Sequence, residues 1–264
     1  MIFIYNLFKR SDNMYGAIIG DLAGSIYEYD QTKCIKSINM NNLIEDNSFY
    51  SDDTILTMAI IDAIKDNKDY DKYLRKYIND YKDYKPNFSP YFKSSFSPGL
   101  IKWSKSNEIG TSHGNGCMMR VSGVGYLFNT EDEVIENSYL STIPSHNSII
   151  SIYSSKIIAL IIFYLRNGLS REEIYKKLNL NIEYKPFIKF NTTCEETLGN
   201  CLYAFYYSNS FEDAIKKTLL MGGDTDTNAC IVGSMAYALF DVSDEIIKKV
   251  NSKIPNEFVK LIKK

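Results

Sequence analysis

Several residue types are scarce in this 264-residue chain, and their scarcity excludes some classes of protein. The chain has 2 histidines, 1 tryptophan and 6 prolines. Because two histidines are too few for a histidine-rich metal site, any bound cation must be held by oxygen atoms. The 5 cysteines form no CxxC pair, which argues against a zinc site or a disulfide framework. They predict reduced, scattered thiols in an intracellular, cytoplasmic protein.

The chain also lacks an excess of either charge and a long apolar run. Its 30 basic and 32 acidic residues give a net charge of −2, which argues against a nucleic-acid-binding or membrane-surface protein. The longest apolar run, residues 157–165, is shorter than the ~20 residues of a membrane-spanning helix. Residues 1–8 precede Lys9-Arg10, whereas a signal peptide carries its charges first. We therefore expect no nucleic-acid or membrane partner, and a monomer.

Helical periodicity dominates what is present. From Met14 onward, apolar and small residues recur every three to four positions, and almost no alternation of period two is found. No Gly/Ser-rich linker and no solenoid repeat divides the chain. The sequence therefore predicts a single compact all-α domain of many helices over residues 14–264, preceded by an N-terminal extension, residues 1–13. Within it, a tyrosine stripe predicts an amphipathic helix in residues 66–85, and Pro86 to Gly99 a long loop.

The most informative stretch is Gly222-Gly223-Asp224-Thr225-Asp226-Thr227, which precedes an apolar helical pattern. Asp and Thr at a helix start can cap exposed amides, and an over-capped helix is one explanation. Capping needs only one or two such groups, however, and oxygen donors clustered beyond that need favour a hard cation such as Mg²⁺ or Mn²⁺.

A second group of oxygen donors, Ser51-Asp52-Asp53-Thr54, leads another apolar helical pattern. Alone it is ordinary cap chemistry, but two such groups in one chain are better explained by a shared site. Asp21 lies inside the first helical pattern, where we expect a buried hydrogen-bonding role behind the site. Glu28 follows seven residues later, and its spacing predicts a similar face of the same helix.

The third informative segment is residues 111–120, where glycines alternate with polar residues before another apolar pattern. Gly114 and Gly116 are expected to leave backbone amides uncovered at a helix start, which would suit phosphate oxygens, although an ordinary turn is the alternative. His146 precedes a long helical pattern. It is either a hydrogen-bonded residue at a helix start or a substrate contact.

Four segments in fixed order make this combination specific. They are Gly20-Asp21-Leu22-Ala23-Gly24 with Glu28, then residues 51–54, residues 114–120 and residues 222–227. The set spans about residues 14–240 and resembles the ADP-ribosylglycohydrolase family, which includes the dinitrogenase reductase-activating glycohydrolases.

The resemblance implies an all-helical fold with a dinuclear Mg²⁺ or Mn²⁺ centre in a cleft, and it assigns residues by position. The implied cation ligands are Ser51, Asp52, Asp53, Asp224, Asp226 and Thr227. Glu28 and Asp53 are the implied catalytic residues, with Glu28 beside the metals and the scissile bond. The implied substrate contacts are Ser112, His113, Gly114, Asn115 and Gly116, which match a loop around the diphosphate and nearby ribose, and His146.

The implied site is chemically consistent. Its five carboxylates in one pocket would repel one another by several kcal/mol per pair at ~4 Å, and two divalent cations would restore balance. We hypothesise that the cations orient the 2″ and 3″ hydroxyls of the ribose, and that a water activated by the cations or by Glu28 attacks C1″. The substrate would be an ADP-ribosylated protein or a small ADP-ribose conjugate, and the linkage stays open.

Two other functions compete with this one. A phosphatase of the haloacid dehalogenase type shares an Asp-x-Asp motif, but there the motif follows an apolar strand and precedes a whole α/β domain. Here only 38 residues follow Asp226. A non-catalytic ADP-ribose-binding or structural relative is the second alternative, and the intact set of acidic residues counts against it.

Overall fold

Helices make up the regular structure of the computed structural model, which describes residues 13–28, 42–85, 95–181, 183, 186 and 190–263. In these residues β-pairing is limited to isolated bridges such as Thr111 with His146. The all-α prediction is therefore confirmed. In chain order the helices are α1 (Gly16–Gly24), α2 (Asp52–Asp66), α3 (Tyr70–Tyr81), α4 (Pro98–Ser104), α5 (Gly116–Met119), α6 (Ser122–Leu127), α7 (Glu131–Thr142), α8 (Ile149–Arg166), α9 (Arg171–Lys177), α10 (Cys194–Tyr206), α11 (Phe211–Met221), α12 (Thr225–Leu239), α13 (Asp244–Lys253) and α14 (Asn256–Ile262).

Helices α1 and α12 form the closest pair in the fold, and glycine makes their approach possible. A Cβ atom placed on Gly20 would lie 1.9 Å from the carbonyl oxygen of Ala229, and one on Gly24 would lie 2.3 Å from that of Thr225. Both helices are buried along almost their whole length. The lack of a side chain at Gly20 and Gly24 therefore permits the close approach. It brings the end of α1 against the acidic start of α12.

Helix α8 runs through the interior. Its 18 residues are long and apolar enough to cross a membrane by length and composition, yet 67% of them are buried inside the fold. Ser148 caps its first turn by accepting a hydrogen bond from the Ser151 amide, and Gly168 follows its end with φ +84°. A helix packed on most sides by its own protein has the pattern of a core helix.

Several predicted boundaries differ from the structure. The tyrosine helix is shorter than residues 66–85, since α2 extends to Asp66 and α3 covers Tyr70–Tyr81. The loop predicted from Pro86 to Gly99 is wrong at its end, because α4 begins at Pro98. Ser97 accepts a hydrogen bond from the Leu100 amide, and Pro98 suits a first helical turn. Residues 86–94 and residues 1–12 of the predicted extension lie outside the described residues.

The expectation of scattered thiols is wrong for one pair. Cys117 and Cys194 are buried free cysteines whose sulfur atoms lie 3.5 Å apart. They are 77 positions apart in sequence, so only the packing of α5 against the start of α10 brings them together. Cys34 lies outside the described residues.

Candidate active site

One cavity of about 590 Å³ collects residues from all the acidic and glycine-rich segments. Asp52 and Asp226, 174 positions apart, both line it. Of the predicted site residues, those that line the cavity are Glu28, Asp52, Asp53, Ser112, Gly114, Asn115, Gly116, His146, Asp224, Asp226 and Thr227. Distant parts of the chain therefore converge on one space.

Five carboxylates, which we call the acidic cluster, form two adjoining groups in which the oxygens lie within 4.8 Å of one another. The first group is Asp21, Asp53 and Asp226, and the second is Glu28, Asp224 and Asp226. Asp226 belongs to both groups. The cluster therefore offers two neighbouring positions that share one ligand residue.

Helix capping does not account for the acids at the start of α12. Asp224 occupies the N-cap position, but its side chain makes no capping hydrogen bond. Its Oδ2 instead accepts a hydrogen bond from Asn115 Nδ2 at 2.7 Å. Asp226 Oδ1 accepts one from the amide of Thr227 at 2.8 Å. The over-capped helix therefore fails as an explanation for Asp224.

Asp21 has the hydrogen-bonding role that its position predicted. Its carboxylate accepts from the amide and hydroxyl of Ser51 at 2.9 and 2.8 Å, and from the amide and hydroxyl of Thr54. Burial raises the pKa of Asp21 to about 6, and these hydrogen bonds oppose the rise. Asp21 fixes the first turn of α2 against α1. Its membership in the acidic cluster was not predicted.

The helical placement of Glu28 is wrong. Helix α1 ends at Gly24, and residues 25–28 form a turn that carries Glu28 to the cavity. Ser25 stabilises this turn, since its hydroxyl donates to the Leu22 carbonyl at 2.9 Å and accepts from the Phe49 amide at 3.1 Å. Burial, Asp224 and Asp21 raise the pKa of Glu28 to about 7.

The acidic cluster contains carboxylate oxygens without a hydrogen-bond partner, which could bind a cation. Glu28 Oε2 and Asp53 Oδ1 are buried and have no hydrogen-bond partner. In the part of the chain that the structure describes, no lysine or arginine pairs with a carboxylate of the cluster. Burial and the neighbouring carboxylates raise the pKa values of Asp53 and Asp226 well above the usual range. An all-oxygen, anionic donor set of this kind fits Mg²⁺ or Mn²⁺.

Three predicted ligands lie at the edge of the cluster. Ser51 does not line the cavity, and its hydroxyl lies within hydrogen-bond distance of Asp21 and Asp53. Thr227 lines the cavity and donates its hydroxyl to Asp53 Oδ2 at 3.2 Å. Asp52 lines it too, outside both groups of three. The Asp52 amide donates to Ser95 Oγ at 2.5 Å, a contact that the sequence did not indicate. Cation binding by these three stays a prediction.

The glycine loop, residues 111–116, is less open than predicted. The Gly114 amide donates to Ser112 Oγ at 3.1 Å, and the Asn115 amide donates to the Thr192 carbonyl at 2.8 Å. The expectation of an uncovered Gly114 amide is therefore wrong. His113 is exposed and is not among the cavity-lining residues. The single helical pattern expected after this loop is also two short helices, α5 and α6.

Asn115 joins the glycine loop to the acidic cluster. Its side-chain amide donates to Asp224 Oδ2 at 2.7 Å and to Thr197 Oγ1 at 3.3 Å. An amide nitrogen that donates to a carboxylate stabilises its charged form and fixes its orientation. Asn115 was predicted as a substrate contact, and the structure gives it this additional bond.

His146 lies in the cavity wall and is buried, with 5% of the residue exposed. It is not the cap of α8, which is Ser148. Its Nδ1 is 2.7 Å from Ser145 Oγ. Burial, Arg120 and His113 lower the pKa of His146 well below its usual value, so the ring is neutral at neutral pH. Arg120 is a cavity residue that the sequence did not single out as functional.

Comparison with known proteins gives one consistent result. The profile of the ADP-ribosylglycohydrolase family matches residues 12–244. The chain is 24% identical to the protein of Acanthamoeba polyphaga mimivirus named as ADP-ribosyl glycohydrolase L543, over 88% of this chain and 87% of that protein. It is 22% identical to human ADP-ribosylhydrolase ARH3, over 85% and 83%. A solved ADP-ribosylglycohydrolase-related protein complex superposes with a TM-score of 0.65 at 15% identity, covering 96% of this chain and 93% of that one.

Proposed function

The chain belongs to the ADP-ribosylglycohydrolase family, and from this membership we propose that it hydrolyses the N- or O-glycosidic bond at ribose C1″ of an ADP-ribosylated protein or a small ADP-ribose conjugate. The observation that carries the proposal is the acidic cluster. Its two groups of three carboxylates share Asp226, line or adjoin one cavity, and contain two buried oxygens without a partner.

Two divalent cations would be held by the two groups, with Asp226 common to both. Asp53 serves one group and Asp224 serves the other, with Glu28 beside the second. Bound Mg²⁺ or Mn²⁺ would supply the orientation of ribose hydroxyls and lower the pKa of a nearby water. The like charges gathered here repel one another by about 4 kcal/mol per pair at 4 Å and an effective dielectric constant of 20, which gives the site its affinity for cations.

Glu28 moves the proton in this proposal. As the water oxygen bonds to C1″, Glu28 accepts a proton from that water, and the C1″–N or C1″–O bond breaks. The proton then passes to the leaving group, which returns Glu28 to its charged form. Glu28 lines the cavity beside the cluster, and its Oε2 has no hydrogen-bond partner, so it is available to accept and return a proton. The oxocarbenium-like state at C1″ would be stabilised by adjacent carboxylates, a role we assign to Asp53 on α2.

The fold weighs against the phosphatase alternative. That enzyme class places its Asp-x-Asp motif at the end of a strand in an α/β domain. Asp224 and Asp226 instead begin α12, and the described residues form no sheet. The remaining alternative is a relative that binds ADP-ribose without cleaving it.

A substrate panel tests the proposal. The purified protein is incubated with arginine-linked, serine-linked and O-acetyl-ADP-ribose, each with Mg²⁺, Mn²⁺ or EDTA, and release of ADP-ribose is measured. We expect cation-dependent release from at least one substrate. We expect Glu28→Gln to lower kcat by roughly 100-fold or more while cation binding persists. Glu172→Gln, an exposed glutamate on α9, is the matched control. Tight ADP-ribose binding without any hydrolysis would favour the non-catalytic alternative, and near-normal turnover of Glu28→Gln would remove its role.

A further inference from the structure

Arg120 is a fully buried cation in the cavity wall, between α5 and α6. Its side chain is 1% exposed, and no carboxylate of the described residues lies within ion-pair distance of it. Its Nη2 donates to Ser145 Oγ at 2.8 Å and to the Ser141 carbonyl at 3.3 Å, and its Nε has no partner. Burying a cation without a counter-charge is costly, so packing alone is a poor reason for arginine here.

The direction of the hydrogen bonds from Arg120 determines the direction of the hydrogen bond between Ser145 and His146. A guanidinium can only donate, so Ser145 Oγ is the acceptor. The hydroxyl hydrogen of Ser145 is then free to donate to His146 Nδ1, 2.7 Å away. If Nδ1 carried the ring proton instead, that hydroxyl hydrogen would have no acceptor among the described residues. The neutral ring of His146 therefore carries its proton on Nε2.

The Nε2 atom of His146 faces the glycine loop. A Cβ atom placed on Gly116 would lie 3.5 Å from it, and one placed on Gly114 would lie 3.8 Å from it. No hydrogen bond of Nε2 is found within the described part of the chain, and His146 lines the cavity. The donor is therefore directed at the space where the loop and the cavity meet.

We propose that Arg120 and Ser145 are positioning residues that hold His146 as an Nε2–H donor toward an oxygen of the ADP-ribosyl group beside Gly114 and Gly116. The identity of this ligand rests on the proposed function, whereas the state of the free ring does not. The hydroxyl of Ser145 links Arg120 to the tautomer of His146. Only a group that accepts a hydrogen bond from Arg120 and donates one to Nδ1 selects the Nε2–H tautomer.

Nitrogen NMR on the ¹⁵N-labelled full-length protein tests the tautomer without any ligand. The chain has only 2 histidines, and a His113→Asn variant assigns the signals of His146. We expect the long-range ¹H–¹⁵N spectrum to show a protonated Nε2 and an unprotonated Nδ1. Ser145→Ala should shift both nitrogens toward averaged values, whereas Ser145→Thr, which keeps the hydroxyl, should retain the wild-type pattern.

An Nδ1–H tautomer in the wild-type protein would overturn the proposal, and so would an unchanged spectrum in a folded Ser145→Ala variant. If Ser145→Ala does not fold, the wild-type spectrum decides alone. Calorimetry with ADP-ribose gives the second measurement, for which we expect Ser145→Ala to bind about tenfold more weakly and Ser145→Thr to bind normally. Equal affinity of the wild type and both Ser145 variants would overturn the role of Arg120 and Ser145 in ADP-ribose binding. A wild-type protein that neither binds ADP-ribose nor hydrolyses any substrate of the panel would refute the proposed function and the ligand named here, while the tautomer result would still stand.

Discussion

The acidic cluster and the glycine loop face the same cavity, but their internal hydrogen bonding differs. The cluster contains two buried carboxylate oxygens without a partner, on Glu28 and Asp53. In the loop, the amides of Gly114 and Asn115 are already bonded within the protein. One half of the site therefore requires an added positive charge, whereas the other half is held in shape by its own contacts. The difference separates the proposed cation site, which is incomplete alone, from the proposed substrate wall, which is preformed.

The largest effect should come from the carboxylate that both groups share. We expect Asp226→Asn to lower hydrolysis by about 1000-fold and to abolish the rise in melting temperature on adding Mg²⁺ or Mn²⁺. Because the change removes one of several repelling buried charges, the EDTA-treated variant should melt above the EDTA-treated wild type. Differential scanning calorimetry and the ADP-ribose release assay measure the two results.

Asp244→Asn is the matched control, since Asp244 is exposed on α13. It should retain the cation response of the wild type. If Asp226→Asn retained the full cation-induced stabilisation, the cluster would not be the cation site, and the contrast between the two halves would lose its basis.

The next effect concerns Asn115, whose side chain donates a hydrogen bond from the glycine loop to Asp224 of the acidic cluster. We expect Asn115→Ala to weaken cation binding by roughly 10- to 100-fold, because Asp224 loses the donor that orients its carboxylate. Isothermal titration with Mn²⁺ measures the change. Asn147→Ala, at an exposed position after His146, is the control. Unchanged Mn²⁺ affinity of Asn115→Ala would show that the loop and the cluster are independent.

The helix starts were predictable because their chemistry is local. Ser210 caps α11 by accepting from the Asp213 amide, and Ser243 caps α13 by accepting from the Ile246 amide, as is typical of serine at this position. The two acidic segments were found for the same reason, since each leads an apolar stripe. Their convergence follows from the close packing of α1 on α12 and from the hydrogen bonds by which Asp21 on α1 holds the first turn of α2.

The features that were missed depend on partners far along the chain. The turn that carries Glu28 is held by Ser25 and the Phe49 amide, 24 positions away. The Asn115 amide is covered by a carbonyl of Thr192, and Arg120 reaches Ser145 across 25 positions. Helical spacing carries no information about such contacts. The prediction from helical spacing therefore placed Glu28 on α1, and the prediction from the glycines expected an uncovered Gly114 amide.

A smaller effect should appear in the pH dependence of the cation-free protein. Burial raises the folded-state pKa of Asp21 to about 6 and of Glu28 to about 7, above their unfolded values near 4. The associated stability is fully present below about pH 4 and is lost as the pH rises through 6 and 7. In EDTA, we expect the melting temperature to fall by several degrees between pH 5 and 8, since one pKa unit is about 1.4 kcal/mol.

Saturating Mg²⁺ should remove most of this fall, because the cation balances the ionised carboxylates. The same scan on Asp226→Asn in EDTA should be flatter than that of the wild type. A melting temperature that is independent of pH in EDTA would contradict the electrostatic strain assigned to the acidic cluster.

The smallest effect should come from a change confined to the glycine loop. A Cβ atom on Gly114 would lie 3.2 Å from Ser112 Oγ and 3.5 Å from the Thr192 carbonyl, so Gly114→Ala fits after a slight shift of the serine hydroxyl. That hydroxyl accepts from the Gly114 amide, and the shift should raise KM for the ADP-ribosyl substrate about fivefold, or roughly 1 kcal/mol. Since the loop is preformed and the cluster is not, kcat and Mn²⁺ affinity should stay at wild-type values in Gly114→Ala. A loss of cation affinity would show that strain passes from loop to cluster, and the two halves would then act as one unit.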